Sequence, residues 1–249
     1  MISWVFPIAG LGTRSSSLGE YKPFVEVFEN CSILNIFLSG IREIINSNDR
    51  MVFITTEFYE KNHDVESSIR NLLKQMDLKN KVDVIILPHT PKGQALTVKE
   101  GVEKLDDSFL KERVFVINSD QMVFFDLSKV NMNRCGVGVY FNEEPSSCFY
   151  DLDLSSNSVR GIREKEMISA YASSGIFYFT SGQRLLNCIE WGIENGKQYK
   201  EELYLGPCME ALDQISYFKT LMKFDLGNAA SIELFRKFGQ HLIWARDRT

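Results

Sequence analysis

The sequence predicts an α/β protein built on a mainly parallel sheet with helices on both faces. Three observations lead there. Apolar, β-rich runs alternate with longer helical patterns through the first half of the chain. Those runs are apolar enough to be covered on both sides, as parallel strands are. The order reads βαβαβαβ before the pattern changes.

The elements follow in turn. Residues 2–8 make a first buried strand. Ser32 then caps a helix in which Ile33, Ile36, Phe37, Ile41 and Ile44 recur at helical spacing. A second strand at 51–55 leads to an amphipathic helix at 65–76. Strands at 82–87 and 113–118 flank a helix at 94–104, which opens after a Pro-Lys-Gly turn. The second half is different. Short strands are expected at 136–142, 149–154 and 159–163, the last two joined by the turn Ser155-Ser156-Asn157-Ser158. A strand at 174–179, helices at 181–195 and 207–215, a strand at 218–224 and a helix at 231–238 follow. No Pro/Gly/Ser-rich linker divides the halves, so one domain over residues 1–249 is expected.

Composition excludes several classes. The chain of 249 residues is 44% hydrophobic and 24% charged, which supports a proper core and argues against disorder. Its net charge is −5, and no Lys/Arg block stands out, so neither nucleic acid nor a polybasic membrane contact is expected. The five cysteines, Cys31, Cys135, Cys148, Cys188 and Cys208, show no CxxC or Cys/His zinc spacing and read as reduced thiols. The apolar N-terminus lacks a basic region and runs into a glycine loop, so it reads as a strand and not a signal peptide. No apolar stretch of about 20 residues is present to span a bilayer. A cytoplasmic protein is the expectation.

Three places carry chemistry. The first is the loop Ala9-Gly10-Leu11-Gly12-Thr13-Arg14, directly after the first strand. Its glycines let the backbone approach a phosphate, and its bare N–H groups can cradle phosphate oxygens. Arg14 adds a fork-shaped cation, and Lys22-Pro23 closes the loop with a second one. No Gly-Lys-Ser/Thr follows, so this is not a Walker loop. The third glycine of a dinucleotide fingerprint is also missing. The second place is Asn118-Ser119-Asp120, where a carboxylate ends a buried strand at the edge where open α/β sheets bind ligands. The third is Asp225-Leu226-Gly227, again an Asp after a strand and before a helix. If both strands lie in one sheet, Asp120 and Asp225 can share a metal ion.

Together these landmarks resemble the sugar-phosphate nucleotidyltransferase family, the glucose-1-phosphate thymidylyltransferase and UTP–glucose-1-phosphate uridylyltransferase group. The likeness runs over nearly the whole chain and in the family's order. It implies a Rossmann-like three-layer sandwich with a mainly parallel mixed sheet and a small accessory antiparallel sheet. It also implies that residues 1–125 mainly bind NTP and 126–249 mainly bind the acceptor. The segment 9–14 with Lys22-Pro23 resembles the triphosphate loop. Pro91-Lys92-Gly93-Gln94 resembles the glycine turn bordering the nucleobase, although Pro88 stands where several relatives carry a base-reading Gln. Asp120 and Asp225 resemble the ligands of a catalytic Mg²⁺. Glu164-Lys165 resembles the pair that meets the sugar phosphate, with Glu166 in place of the usual proline. Gly175 resembles a sugar-contacting glycine.

The function implied is transfer of a nucleoside monophosphate from an NTP to a phosphorylated small molecule, a sugar 1-phosphate foremost, in nucleotide-sugar and polysaccharide biosynthesis. Such chemistry needs no protein nucleophile: an acceptor phosphate attacks the α-phosphorus, and catalysis reduces to positioning and charge neutralisation. That suits a chain with no Ser/His/Asp or Cys/His arrangement, whose His63, His89 and His241 lie in unrelated contexts. The rival readings are a cytidylyltransferase using a non-sugar phosphate such as phosphocholine, and a nucleotide-binding regulatory module without turnover. A glycosyltransferase would carry Asp-x-Asp, and Asn118-Ser119-Asp120 offers one carboxylate only. A homo-oligomer is compatible with all of these.

Overall fold

Every second residue of the inner strands faces a different core, and this alternation builds the layers. In a computed structural model, residues 1–10 and 21–239 are described. The strands are β1 (Ile2–Pro7), β2 (Glu26–Phe28), β3 (Cys31–Ser32), β4 (Arg50–Thr56), β5 (Lys81–Leu87), β6 (Arg113–Ile117), β7 (Gln121–Phe125), β8 (Gly136–Phe141), β9 (Cys148–Asp153), β10 (Ser158–Glu164), β11 (Tyr171–Phe179), β12 (Gln198–Tyr199), β13 (Glu202–Leu203) and β14 (Ser216–Asp225). The helices are α1 (Ile33–Ile41), α2 (Glu57–His63), α3 (Val65–Gln75), α4 (Gln94–Val102), α5 (Gly182–Glu194), α6 (Leu205–Cys208) and α7 (Ala229–Phe238).

The main sheet has the order β5-β4-β1-β6-β11-β8-β14-β10-β9, with β7 paired to β14. Strands β5, β4, β1 and β6 are parallel. β11 runs antiparallel to both β6 and β8, and β8 is parallel to β14. Two reversals restore the direction, so β6 and β14 end on the same edge. The short pairs β2–β3 and β12–β13 form small antiparallel sheets.

On one face Val5, Val52, Val114 and Val116 pack with Val98 of α4 and Leu185 and Ile189 of α5. On the other, Trp4, Phe6, Phe53 and Phe115 pack with Phe37 of α1 and Ile69 of α3. A third cluster joins Met122, Leu226, Ile36 and the α7 residues Ile232 and Phe235. Helix ends are fixed locally. Ser32 accepts from the Asn35 N–H while Asn35 accepts from the Ser32 N–H, which closes both ends of a capping box. Asn228 caps α7 by accepting from the Ser231 N–H at 2.9 Å.

The expected helix at 207–215 is shorter than the sequence predicts. It resolves into the single turn of α6 and a 3₁₀ turn at Met209–Ala211, closed by the Leu212 N–H donating to Met209. Leu205, Pro207, Cys208 and Met209 are all buried, so this run is apolar all round and carries no helical stripe. The five cysteines are free thiols. Among the described residues no helix is long and apolar enough to cross a membrane.

Candidate active site

The carboxyl edge of the sheet gathers Lys22, Asp120 and Asp225, three of the charged residues singled out in the sequence. The chain leaves β1 at Gly10 and returns at Tyr21, and tyrosines fasten both points. The Tyr21 hydroxyl donates to the Ile8 carbonyl at 2.5 Å, and the Tyr21 ring stacks on Tyr59 at 3.9 Å. The Tyr59 hydroxyl donates to the Gly10 carbonyl at 3.3 Å. Leu11, Gly12, Thr13 and Arg14 lie outside the described residues. Ala9 is fully buried.

Beyond this loop, Lys22 opens a 3₁₀ turn at Lys22–Phe24, set by Pro23. Its ammonium donates to Asp120 Oδ2 at 2.6 Å, with the two side chains 18% and 39% exposed. Burial, the largest influence on the Asp120 carboxyl, pushes it up. Lys22, assisted by Lys223, outweighs burial, so the carboxyl is held below the usual range and stays ionised.

The two aspartates meet. The Leu226 N–H donates to the Asp120 carbonyl at 2.8 Å, which ties the end of β14 to the turn after β6. Asp225 is oriented by the Gly227 N–H at 3.1 Å, the Ser231 hydroxyl at 3.3 Å and the Asn228 amide at 3.4 Å. A Cβ placed on Gly227 would lie 2.9 Å from Asp225 Oδ1 and 3.3 Å from Asp120 Oδ2. Both oxygens therefore border one small space and stand no more than about 6.2 Å apart, the sum of those two distances. Residue 227 must be small to leave that space open. This donor set fits Mg²⁺, which takes one or two carboxylates and fills its octahedron with phosphate oxygens and water. Among the described residues no group of three or more His, Cys, Asp or Glu is arranged to hold an ion alone.

A cleft of about 460 Å³ opens beside Asp120, and Asp225 lies outside its lining. Of the expected residues, Gly10, Lys22, Gly93, Gln94 and Asp120 line it. Gly93 adopts φ +104°, open to glycine, and its α-carbon presses on the backbone of Leu203, 2.5 Å from where a Cβ would stand. Gln94 donates to the Asn118 side chain, and the Asn118 N–H donates to the Gly175 carbonyl at 2.9 Å. Gly175, at φ +72°, thus lies behind the cleft wall, against Asn118. Glu164 and Lys165 are not part of the lining. Lys165 reaches it indirectly, by donating to the Tyr204 hydroxyl at 3.2 Å, which donates in turn to the cleft residue Glu202. Burial pushes the Glu164 carboxyl up, against the opposing effect of Lys165.

The sequence assigns no role to Asn118 and does not point to Lys200, Glu201, Glu202 or Lys223. Asn118 was visible as the residue two before Asp120. The run Lys200-Glu201-Glu202 gives no signal beyond a charged surface stretch.

The sheet order, with helices on both faces and charged residues at the carboxyl edge, defines an α/β sandwich. No family model matches the chain, and no curated protein is similar to it in sequence. Solved structures share the fold. A nucleoside-diphosphate-sugar pyrophosphorylase from Vibrio cholerae superposes with a TM-score of 0.80 at 20% identity, over 95% of this chain and 100% of that one. A UDP-glucose pyrophosphorylase complexed with UDP-glucose gives 0.73 at 13% identity, over 97% and 100%. The inositol-1-phosphate CTP transferase from T. maritima gives 0.67 at 15% identity, over 95% and 96%.

Proposed function

We propose that the chain is a nucleotidyltransferase that moves a nucleoside monophosphate from an NTP to a phosphorylated small molecule, a sugar 1-phosphate foremost, and releases pyrophosphate. The observation that carries this reading is the pair Asp120 and Asp225 around the space that Gly227 leaves open, with Lys22 on Asp120 and a cleft alongside. The names of the three structural neighbours, two sugar-nucleotide pyrophosphorylases and a CTP transferase, agree with it.

In this reading the whole chain works as one domain. The backbone at Gly10 and the segment through Arg14 receive the triphosphate, and Gly93 and Gln94 border the nucleobase. Asp120 and Asp225 would hold Mg²⁺, which supplies charge neutralisation at the phosphates when bound. Lys22 keeps Asp120 ionised and, with Arg14, balances charge on the departing pyrophosphate. Lys165 receives the acceptor's phosphate, with Glu164 beside it and Gly175 supporting the acceptor side through Asn118. An oxygen of the acceptor phosphate forms a bond to the α-phosphorus. The α–β bridging bond breaks, and its electron pair leaves with pyrophosphate. In this scheme no protein group forms a covalent bond, and the charged groups of the cleft, Lys22, Lys92, Asp120 and Lys200 among them, serve positioning and charge balance.

The test is pyrophosphate release measured for ATP, GTP, CTP, UTP and dTTP against sugar 1-phosphates, inositol 1-phosphate and phosphocholine. Acceptor-dependent release with one NTP is the expected result. Release with phosphocholine alone would establish the cytidylyltransferase alternative. No release with any pair would leave a nucleotide-binding module and overturn the proposal.

A further inference from the structure

The Lys165 ammonium is held by groups that the reaction scheme leaves without a role. Its nitrogen stands 4.6 Å from the centre of the Tyr199 ring and 4.7 Å from that of Tyr204. It also donates to the Tyr204 hydroxyl at 3.2 Å, and that hydroxyl donates to Glu202 Oε2. The Lys165 backbone is fixed as well, at φ +56°, with its N–H donating to the Ser147 carbonyl at 2.9 Å.

Both tyrosines come from one device. Tyr199 ends β12 and Tyr204 follows β13, in a hairpin whose two turn residues, Lys200 and Glu201, take φ +48° and +68°. Left-handed backbone at two successive non-glycine residues persists where surrounding structure enforces it. Here the Leu203 N–H donates to the Lys92 carbonyl at 3.1 Å, and Lys92 pairs with Glu201 at 2.9 Å. The same hairpin places Lys200, Glu201 and Glu202 on the wall of the cleft.

A lysine on a four-carbon stem loses rotamer freedom when it binds a phosphate, and holding it beforehand removes that cost. Aromatic faces attract an ammonium without using any of its three protons. The Tyr204 hydroxyl takes one, which leaves two for phosphate oxygens. The Tyr204 hydroxyl donates its proton to Glu202 and accepts from Lys165 on its oxygen.

We propose that Tyr199 and Tyr204 are positioning residues for the acceptor's phosphate, holding the Lys165 ammonium against the Tyr199 ring and the Tyr204 hydroxyl while Glu202 orients that hydroxyl. The inference rests on the nucleotidyl-transfer reading above. Two measurements on the full chain separate its failure from the failure of that reading.

The first is steady-state kinetics with the NTP found active and glucose 1-phosphate as acceptor. Loss of one aromatic face in Tyr199→Leu should raise the acceptor KM roughly three- to tenfold and leave the NTP KM unchanged. Tyr199→Phe, which keeps the ring, should restore the acceptor KM. In a Lys165→Ala background, Tyr199→Leu should add nothing. An unchanged acceptor KM in Tyr199→Leu, or an equal rise in the Lys165→Ala background, overturns the proposal. The second measurement needs no turnover: the rate at which acetic anhydride acetylates Lys165, read by mass spectrometry. It should rise severalfold in Tyr199→Leu and stay at the wild-type value in Tyr199→Phe. Equal rates in all three proteins overturn the proposal even if the chain proves inactive with every acceptor.

Discussion

Gly227→Ala probes the space between the two aspartates with a single methyl group. The added carbon would stand 2.9 Å from Asp225 Oδ1, 3.4 Å from Asp225 Oδ2 and 3.3 Å from Asp120 Oδ2. The first of these is well inside van der Waals contact, so at least one carboxylate must move by several tenths of an ångström. The methyl also takes space where an ion with metal–oxygen distances of about 2.1 Å would bridge the two groups. Displacements on the order of 1 Å at a reacting centre cost about a hundredfold in rate, so a loss of ten- to a hundredfold in kcat is expected here, with a higher Mg²⁺ requirement. The fold should not suffer. Gly227 has no left-handed backbone to lose, and the nearest atom it would crowd is the tip of the exposed Asp225 side chain, which can move aside. The assay is pyrophosphate release across a Mg²⁺ titration, paired with thermal unfolding. Unchanged kcat and unchanged Mg²⁺ dependence in a folded Gly227→Ala protein would refute the shared-ion reasoning.

Other predictions address the same site and the frame behind it. Asp120→Asn and Asp225→Asn should each remove most pyrophosphate release, and the double variant should be little worse than either single one, since both act through one ion; independent, multiplying losses would argue against a shared ligand set. At the opposite edge of the sheet, the 3%-exposed Arg50 side chain faces Asp83 at 2.6 Å, Asp106 at 3.1 Å and Glu112 at 3.8 Å. Arg50→Met leaves buried Glu112 short of its cation and should cost about 3 kcal/mol in urea unfolding, the low end for a broken buried pair because Asp106 is half exposed. Asp106 itself is held near pKa 2, foremost by the Ser108 hydroxyl, which together with the Ser108 N–H, Arg50 and Lys81 outweighs the upward push of burial. Its folded value lies below the unfolded value of about 3.9, so its stabilisation is present above pH 4 and fades as pH falls toward 2. The Tm difference between wild type and Asp106→Asn should therefore close over that window; a constant difference would contradict the assignment.

Much of the frame was legible because it depends on composition that a sequence displays. Runs such as Met51–Val52–Phe53–Ile54 and Val114–Phe115–Val116–Ile117 are apolar on both faces, which only a strand between two helical layers requires. The turn chemistry at Gly10 and Gly93 was legible in the same way, with Gly93 at positive φ, whereas Gly175, inside β11, was singled out only by the family resemblance. The omissions have physical causes. Helix α2 buries Tyr59 alone and so shows no apolar stripe. Strand β7 begins one residue after Asp120, where the polar run Asn118-Ser119-Asp120-Gln121 hides its start. Hairpin β12–β13 was invisible because its tight turn is Lys-Glu, while the signal for such a turn is Asn-Gly or Asp-Gly. That hairpin brings Glu201 and Glu202 to the cleft and two tyrosines to Lys165, contacts that depend on tertiary packing against Gly93. The proximity of Asp120 and Asp225 was inferred from two strand ends on one edge. The Leu226–Asp120 backbone bond is what brings them there.

Nucleotidyl transfer carries the α-phosphorus, with its nucleoside, to the phosphorylated acceptor and leaves the β- and γ-phosphorus in pyrophosphate. The most direct measurement follows labelled phosphate from the NTP, with label in either the α or the γ position, in the presence of Mg²⁺ and acceptor. The expected result is that the α label appears in the acceptor product, that the γ label appears in pyrophosphate, and that both depend on acceptor and stop in EDTA or in Asp120→Asn. Appearance of the γ label as inorganic phosphate, or on the acceptor, would contradict it.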